Sequence, residues 1–321
     1  MPARCQRRQL VLAYTLPFKR VITIFHPVVI CLLSGLRGIT SCRMRSTVLR
    51  SAPFPQRAFF FAHNPTLLML HIFSDAAAIA EHVSTTLIEK ISIKPEIVLG
   101  LATGGTMEPI YARFVEKALR RRLDVSALTS FNLDEYVGLS AGHPKSYCAY
   151  MRQHLFQHLD FDASRLYLPD GLAHDLDRHS QEYSTKMQQC GGIDLQLLGV
   201  GANGHIGFNE PGTPFDSCCH VVQLSERTRM DNSRFFEGNA IVPASAITMG
   251  MSEIMRAREI LLVATGEGKA EIMAEWYASE VTEAIPFTVL KRHARVKILL
   301  DEAAASLLPG SLRESLMVAA A

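Results

Sequence analysis

Residues 195–211 read LQLLGVGANGHIGFNEP. The short apolar run Leu195 to Leu198 gives way to three glycines, Gly199, Gly201 and Gly204, and then to His205, Glu210 and the breaker Pro211. A strand that opens into a glycine-rich bend sets polar side chains at the carboxyl edge of a sheet, where open α/β proteins hold ligands. A histidine with a carboxylate close behind is equipment for moving protons near neutral pH. The same glycines fit G-x-G-x-x-G, the dinucleotide fingerprint. That motif needs a helix to start at once beneath the pyrophosphate, and Pro211, Gly212 and Pro214 forbid a long one. Glu226 stands at a tolerable distance for the ribose acid, so the fingerprint is weakened and stays open. A tight loop with a satisfied surface histidine is the plainest alternative, and the His and Glu together favour a site over it.

Outward from this loop, strands alternate with helices. Met69 to Phe73 reads as a first strand, followed by a helix capped by Ser74 with Ile79, Val83, Leu87 and Ile91 on one face. Ile97 to Leu101 is a short buried strand that runs into Ala102-Thr103-Gly104-Gly105-Thr106 and a helix to Arg121. Backbone N–H groups at such glycines, with threonine hydroxyls and a helix dipole behind them, make a phosphate cradle; an ordinary strand-to-helix turn is the even alternative. Leu128 to Leu133 is a strand ending at Asp134 and Glu135. Carboxylates there are candidates for a general base, or a helix-capping pair, and alternation lets at most one of them face a pocket.

Lys145 to His158 is expected as one amphipathic helix. His154 and His158 have the i,i+4 spacing of zinc ligands but lack a third ligand, which places them on a solvated face, and no metal is expected. Residues 213–224 read as polar and irregular, and Glu226 to Phe236 as a helix carrying Arg227, Arg229 and Arg234. Ala246 to Thr248, Ile260 to Ala264 and Val296 to Leu300 are strands, the second followed by Thr265-Gly266-Glu267-Gly268-Lys269. The tail reads as an alanine-rich helix. This alternation predicts an α/β fold: a single-domain Rossmann-like parallel sheet with helices on both faces.

Charge divides the chain. Residues 1–74 carry ten Lys and Arg and no Asp or Glu, which leaves the remainder with a net charge of −8. An acidic body gives no reason to expect nucleic acid or an anionic membrane as partner. The apolar run Val21 to Leu33 is interrupted by His26 and Pro27 and is too short to span a bilayer. Residues 1–68 fit a transit peptide, a signal peptide or translated upstream sequence. The last is favoured because regular patterning starts abruptly at Met69, so 1–68 is expected to pack poorly and 69–321 to form the working domain. The seven cysteines match no zinc spacing, and reduced thiols in a cytoplasmic protein account for them most simply.

Five motifs then occur in order: Leu99 to Thr106 (LGLATGGT), Phe131 to Leu139 (FNLDEYVGL), Gly201 to Gly212 (GANGHIGFNEPG), Asn232 to Phe236 (NSRFF) and Gly266 to Lys269 (GEGK). Together they resemble the glucosamine-6-phosphate deaminase family over about Met69 to Leu300. The resemblance implies conversion of glucosamine 6-phosphate and water to fructose 6-phosphate and ammonia, with no cofactor. It implies that His205 passes a proton between O1 and O5 as the ring opens, that Glu210 holds His205 in the useful tautomer, and that Asp134 takes the C2 proton and returns it at C1. Asn203 matches a position where some relatives carry Asp. Because Asn cannot ionise, the partnership with His205 is expected to rest on Glu210. Thr103, Gly104, Gly105, Thr106, Arg234 and Lys269 match phosphate contacts. Some relatives are activated by N-acetylglucosamine 6-phosphate through basic residues after this loop. Here Cys218 to Val222 holds no Lys or Arg, so little allosteric activation is expected, and a homo-oligomer stays open. Two other readings remain: a lactonase acting on 6-phosphogluconolactone, and a non-catalytic sugar-phosphate sensor, which would need a helix-turn-helix that the proline-broken leader lacks.

Overall fold

The computed structural model describes residues 67–234, 236 and 242–317, all within a compact unit spanning Ala62–Ala321. The expected extension lies outside the described residues up to residue 66, and the first strand begins two residues ahead of Met69. Strand β1 (Leu67–Phe73) leads into helix α1 (Ala76–Ile93). Asp75, rather than Ser74, caps α1 by accepting the Ala78 N–H at 2.8 Å, and Ile79, Val83, Leu87 and Ile91 are buried as their spacing requires. Strand β2 (Val98–Leu101), helix α2 (Glu108–Arg121), strand β3 (Thr129–Asn132) and the three-residue β4 (Asp134–Tyr136) follow. Then come α3 (Tyr147–His154), β5 (Leu166–Tyr167), α4 (Leu176–Gln189) and β6 (Leu195–Leu198). Beyond the glycine loop lie β7 (His220–Gln223), α5 (Glu226–Ser233), β8 (Ser245–Thr248), α6 (Met251–Met255), β9 (Ile260–Ala264), α7 (Ala270–Ala278), β10 (Arg295–Asp301) and α8 (Gly310–Leu316).

Seven strands form one sheet in the order β1-β10-β9-β6-β2-β3-β5, with every pairing parallel. The central strands β2, β3, β6 and β9 are buried along their whole length, as parallel strands covered on both faces are; β2, β6 and β9 are mostly apolar, whereas β3 buries Thr129, Ser130 and Asn132 around Phe131. From β2 the chain proceeds outward through β3 and β5; from β6 it proceeds the other way through β9 and β10. The reversal falls between the neighbours β2 and β6. A crevice therefore opens there beyond the carboxyl ends of the strands, at a topological switch point.

Four expectations are corrected. A second sheet, β4-β8-β7, is antiparallel. It takes in Ala246 to Thr248 and part of the segment read as irregular, because β4 leaves β3 after a single residue and needs new partners. The helix expected over 145–158 stops at His154, and His158 lies in a separate 3-10 turn. Those two histidines do not converge: His154 rests against the Tyr150 ring, and His158 Nε2 contacts the Gln153 carbonyl at 2.8 Å. Helix α5 ends at Ser233. The alanines of the tail sit in turns ahead of α8. Among the described residues no helix is long and apolar enough to cross a membrane.

Candidate active site

The loops that leave β2, β3, β6 and β9 all start from one edge of the sheet, since these strands are parallel neighbours. That edge collects Thr103–Thr106, Asp134, Asn203–Glu210 and Lys269, the predicted positions that lie far apart in the chain. Helix α5 adds Asp231 and Arg234: Asp231 acts electrostatically on both His205 and Lys269, and Arg234 acts on Lys269.

The loop after β6 folds tightly enough to seat an imidazole on bare backbone. A β-carbon at Gly201 would stand 2.1 Å from His205 Cε1, so only glycine fits beneath the ring. His205 Nδ1 lies 2.6 Å from Asn203 Oδ1, and Asn203 Nδ2 donates to Glu210 Oε2 at 2.8 Å. An ionised carboxylate only accepts, so it claims the amide NH2 and turns the amide oxygen toward the ring. Nδ1 must then carry the proton, which leaves the Nε2 lone pair for the pocket. The expectation is that the partnership with His205 rests on Glu210, with Asn203 named beside it in the site. Asn203 is the contact, and Glu210 orients Asn203. Burial and the Lys269 cation hold the imidazole pKa below its ordinary value, against the opposing pull of Glu210 and Asp231. Burial works to raise the Glu210 pKa, but hydrogen bonds from Thr228 and Asn203, with the His205 charge, bring it below the usual carboxylate range.

Asp134 and Glu135 part company as strand alternation requires. Glu135 turns to the start of α3, where it accepts the N–H groups of Tyr136, Tyr147 and Cys148, each at 2.9 Å. It is the helix-capping member of the pair. Asp134 points elsewhere: a β-carbon at Gly207, two residues beyond His205, would stand 3.6 Å from its Oδ2. Its carboxylate is buried and accepts no hydrogen bond among the described residues, and burial first and Glu135 second push its pKa well above the ordinary range. The rings of Tyr136, Tyr147, Phe208 and Phe236 pack together beside it.

At the end of β2, Gly104 has φ 106° and its carbonyl accepts from Met107 N–H and the Tyr150 hydroxyl, both at 2.9 Å. Those bonds fold the turn so that the N–H groups of Gly104, Gly105 and Thr106 have no acceptor among the described residues. The turn after β9 is pinned from β10: Asp301 accepts the Gly266 N–H through both oxygens, at 3.0 and 2.9 Å. This sets Lys269 at the start of α7. Burial, then the Arg234 charge, lowers the Lys269 pKa. Two cations held together against their mutual repulsion suit a dianion.

Sequence reasoning passed over Ser225 and Thr228. The signal available was Ser225 followed three residues later by Thr228 at a helix start; what hid them is that their contact is to Glu210, distant in sequence. Tyr147 was also passed over. Its hydroxyl lies 3.3 Å from that of Tyr136.

Comparison with known proteins agrees with this geometry. The family described as glucosamine-6-phosphate isomerases/6-phosphogluconolactonase matches residues 74–299. A glucosamine-6-phosphate deaminase of Rhodopirellula baltica is 49% identical over 242 residues, covering 75% of this chain and 96% of the relative. One of Shouchella clausii is 48% identical over 227 residues, covering 71% and 92%. Among solved structures, a glucosamine-6-phosphate deaminase described as monomeric superimposes with a TM-score of 0.73 at 40% identity, covering 75% of this chain and all of that one. A 6-phosphogluconolactonase from Leishmania guyanensis reaches 0.61 at 19% identity, covering 76% and 99%, and shares the fold alone. With the match running through every loop of the crevice, the chain belongs to the glucosamine-6-phosphate isomerase/6-phosphogluconolactonase family.

Proposed function

We infer that this chain deaminates glucosamine 6-phosphate, taking up water and releasing fructose 6-phosphate and ammonia. The observation that carries the reading is the pairing, on one sheet edge, of a tautomer-fixed imidazole with a separate, bare, buried carboxylate. Opening a sugar ring and then moving hydrogen between two carbons needs two proton carriers at different atoms; hydrolysing a lactone does not.

In this reading the substrate phosphate lies on the free N–H groups of Gly104–Thr106, with Thr103, Arg234 and Lys269 around it. His205 Nε2 takes the O1 proton and delivers it to O5 as the C1–O5 bond breaks. Asp134 takes the C2 proton as the C2–H pair forms a C1=C2 double bond and the carbonyl pair goes to O1, which takes up a proton given up by the substrate ammonium; Asp134 then returns its proton to C1 as the nitrogen lone pair forms C2=N. The product is the imine of fructose 6-phosphate, and water replaces its nitrogen to release ammonia. A carboxylate with a raised pKa is the stronger base once ionised, and the ammonium of the bound amino sugar supplies the charge that ionises it. The four described cysteines are free, which supports a cytoplasmic setting.

The test is a coupled assay for ammonia and fructose 6-phosphate, run with glucosamine 6-phosphate, galactosamine 6-phosphate and 6-phosphogluconolactone. Equal amounts of ammonia and fructose 6-phosphate from the first substrate are expected. Lactone hydrolysis without ammonia release would overturn the reading, and binding without turnover would point to a sensor.

A further inference from the structure

Helix α5 meets the site with a polar face. Ser225, Thr228 and Asn232 recur at helical spacing, and Thr228 is only 1% exposed. A buried threonine with no apolar neighbours on its helix face calls for a polar reason.

That reason lies at the helix start. Glu210 Oε2 accepts from Asn203 Nδ2. Its Oε1 faces the Ser225 N–H at 3.4 Å and the Ser225 hydroxyl at 3.2 Å. The Thr228 hydroxyl stands 3.1 Å from Ser225 Oγ, which itself faces the carboxylate, and Thr228 helps lower the Glu210 pKa. Two of these neighbours, an amide NH2 and a backbone N–H, can only donate. A protonated Glu210 would set donor against donor, so the arrangement holds together as the anion. The Glu210 anion in turn decides which way the Asn203 amide faces, and that decides which nitrogen of His205 is bare.

We propose that Thr228 and Ser225 are positioning residues for ring opening: they clamp Glu210 in the charged form and in the orientation that, through Asn203, keeps the Nε2 lone pair of His205 turned to the sugar. The proposal rests on the reading of His205 as the ring-opening group. The charged groups facing this chain of contacts are His205 on the same loop, Asp231 on α5 and Lys269 after β9. Glu283, from the segment after α7, is engaged with the Phe215 N–H at 3.2 Å.

Ser225 also caps α5 by accepting the Thr228 N–H at 3.1 Å, so a structural role must be separated from a positioning one. Thr228→Val keeps the shape and removes the hydroxyl. Ser225→Gly keeps a tolerated cap residue and removes the other hydroxyl. For Thr228→Val, the acid limb of the kcat profile should move up by about one pH unit, so that turnover on that limb falls roughly ten-fold, the effect of one lost charge-assisted bond. Thr228→Ser should restore both, and Ser225→Gly should move the limb less, in the same direction. Affinity for the reduced open-chain amino alditol 6-phosphate, which needs no ring opening, should stay unchanged in all three. An acid limb that stays put in both Thr228→Val and Ser225→Gly, or an effect confined to KM, overturns the clamp. His205→Asn measured alongside keeps the two ideas apart. If it turns over normally, the reading of His205 fails; if it is inactive while Thr228→Val keeps the parent profile, only the clamp fails.

Discussion

Asp134 and Glu210 are carboxylates that follow two strands of the parallel sheet, β3 and β6, at their shared end, and they are handled in opposite ways. Glu210 is surrounded by donors from Asn203, Ser225 and Thr228 and is held below the ordinary carboxylate pKa. Asp134 receives none among the described residues and is pushed well above it. The difference teaches that residue type does not assign a role; hydrogen bonding does. A carboxylate whose lone pairs are all occupied is an anchor, and one left bare in an apolar setting is a base. Glu135, one residue from Asp134, shows how local the distinction is, since three backbone N–H groups occupy it.

The comparison breaks most directly at Asp134. Asp134→Asn should cut turnover by roughly 10²–10⁴-fold, the usual worth of a positioned base, and stop exchange of the C2 proton with solvent deuterium while sugar phosphate still binds. Exchange at the parent rate would remove Asp134 from the role of base. The same variant tests the burial argument. In the folded state Asp134 keeps a proton that the unfolded chain has already released, so stability is lost as pH rises above the ordinary carboxylate range toward the raised folded pKa. Asp134→Asn should therefore gain stability over the parent at about pH 8 and little at about pH 4, by urea denaturation. An equal gain at both would show that the charge is not what matters.

Lys269→Ala comes next. It should raise KM by roughly ten- to a hundred-fold, the worth of one hydrogen bond to a charged group, with kcat largely kept. A fall in kcat at constant KM would move Lys269 from the phosphate to the reacting carbons. Glu135→Gln sharpens the contrast from the anchor side. Its amide nitrogen must face a backbone N–H, which should cost about 1–2 kcal/mol of stability, read by denaturant midpoint, with kcat near the parent value. A collapse of kcat in a folded Glu135→Gln would make it more than a cap. The smallest expected effect is none: N-acetylglucosamine 6-phosphate should leave the rate-versus-substrate curve unchanged, because Cys218 to Val222 holds no Lys or Arg. A shift from sigmoidal to hyperbolic would contradict this.

Much of the fold is legible before any coordinates. Buried parallel strands such as Leu195–Leu198, apolar but for Gln196, and Ile260–Ala264 are short apolar runs that lead into glycine-bearing turns, and their loops must share an edge. The second sheet is not legible in this way. β4 is three residues long and buried throughout, too short to show a period. β7 reads His-Val-Val-Gln behind prolines and cysteines, and only pairing with β8 makes it a strand. In the site, His205, Glu210 and Asp134 stand out in the sequence as groups able to carry protons, but residue type does not say which carboxylate is held by donors and which is left bare. The part played by Asn203 is not readable, because it depends on which way an amide faces, and that is settled by a carboxylate seven residues on. Ser225 and Thr228 stay hidden for the same reason.

Among the described residues the outer strand β1 pairs with one strand, β10, with Leu67 set beside Arg295, apart from an isolated bridge between Ile72 and Met317. The first described strand to leave the ribosome must therefore wait for the last before its ladder of hydrogen bonds can form. Closing so long a span is slow, and until it closes the β10 side of the sheet is an open edge that invites strands from other chains. Truncations that remove β10 should aggregate during synthesis, however intact the crevice loops.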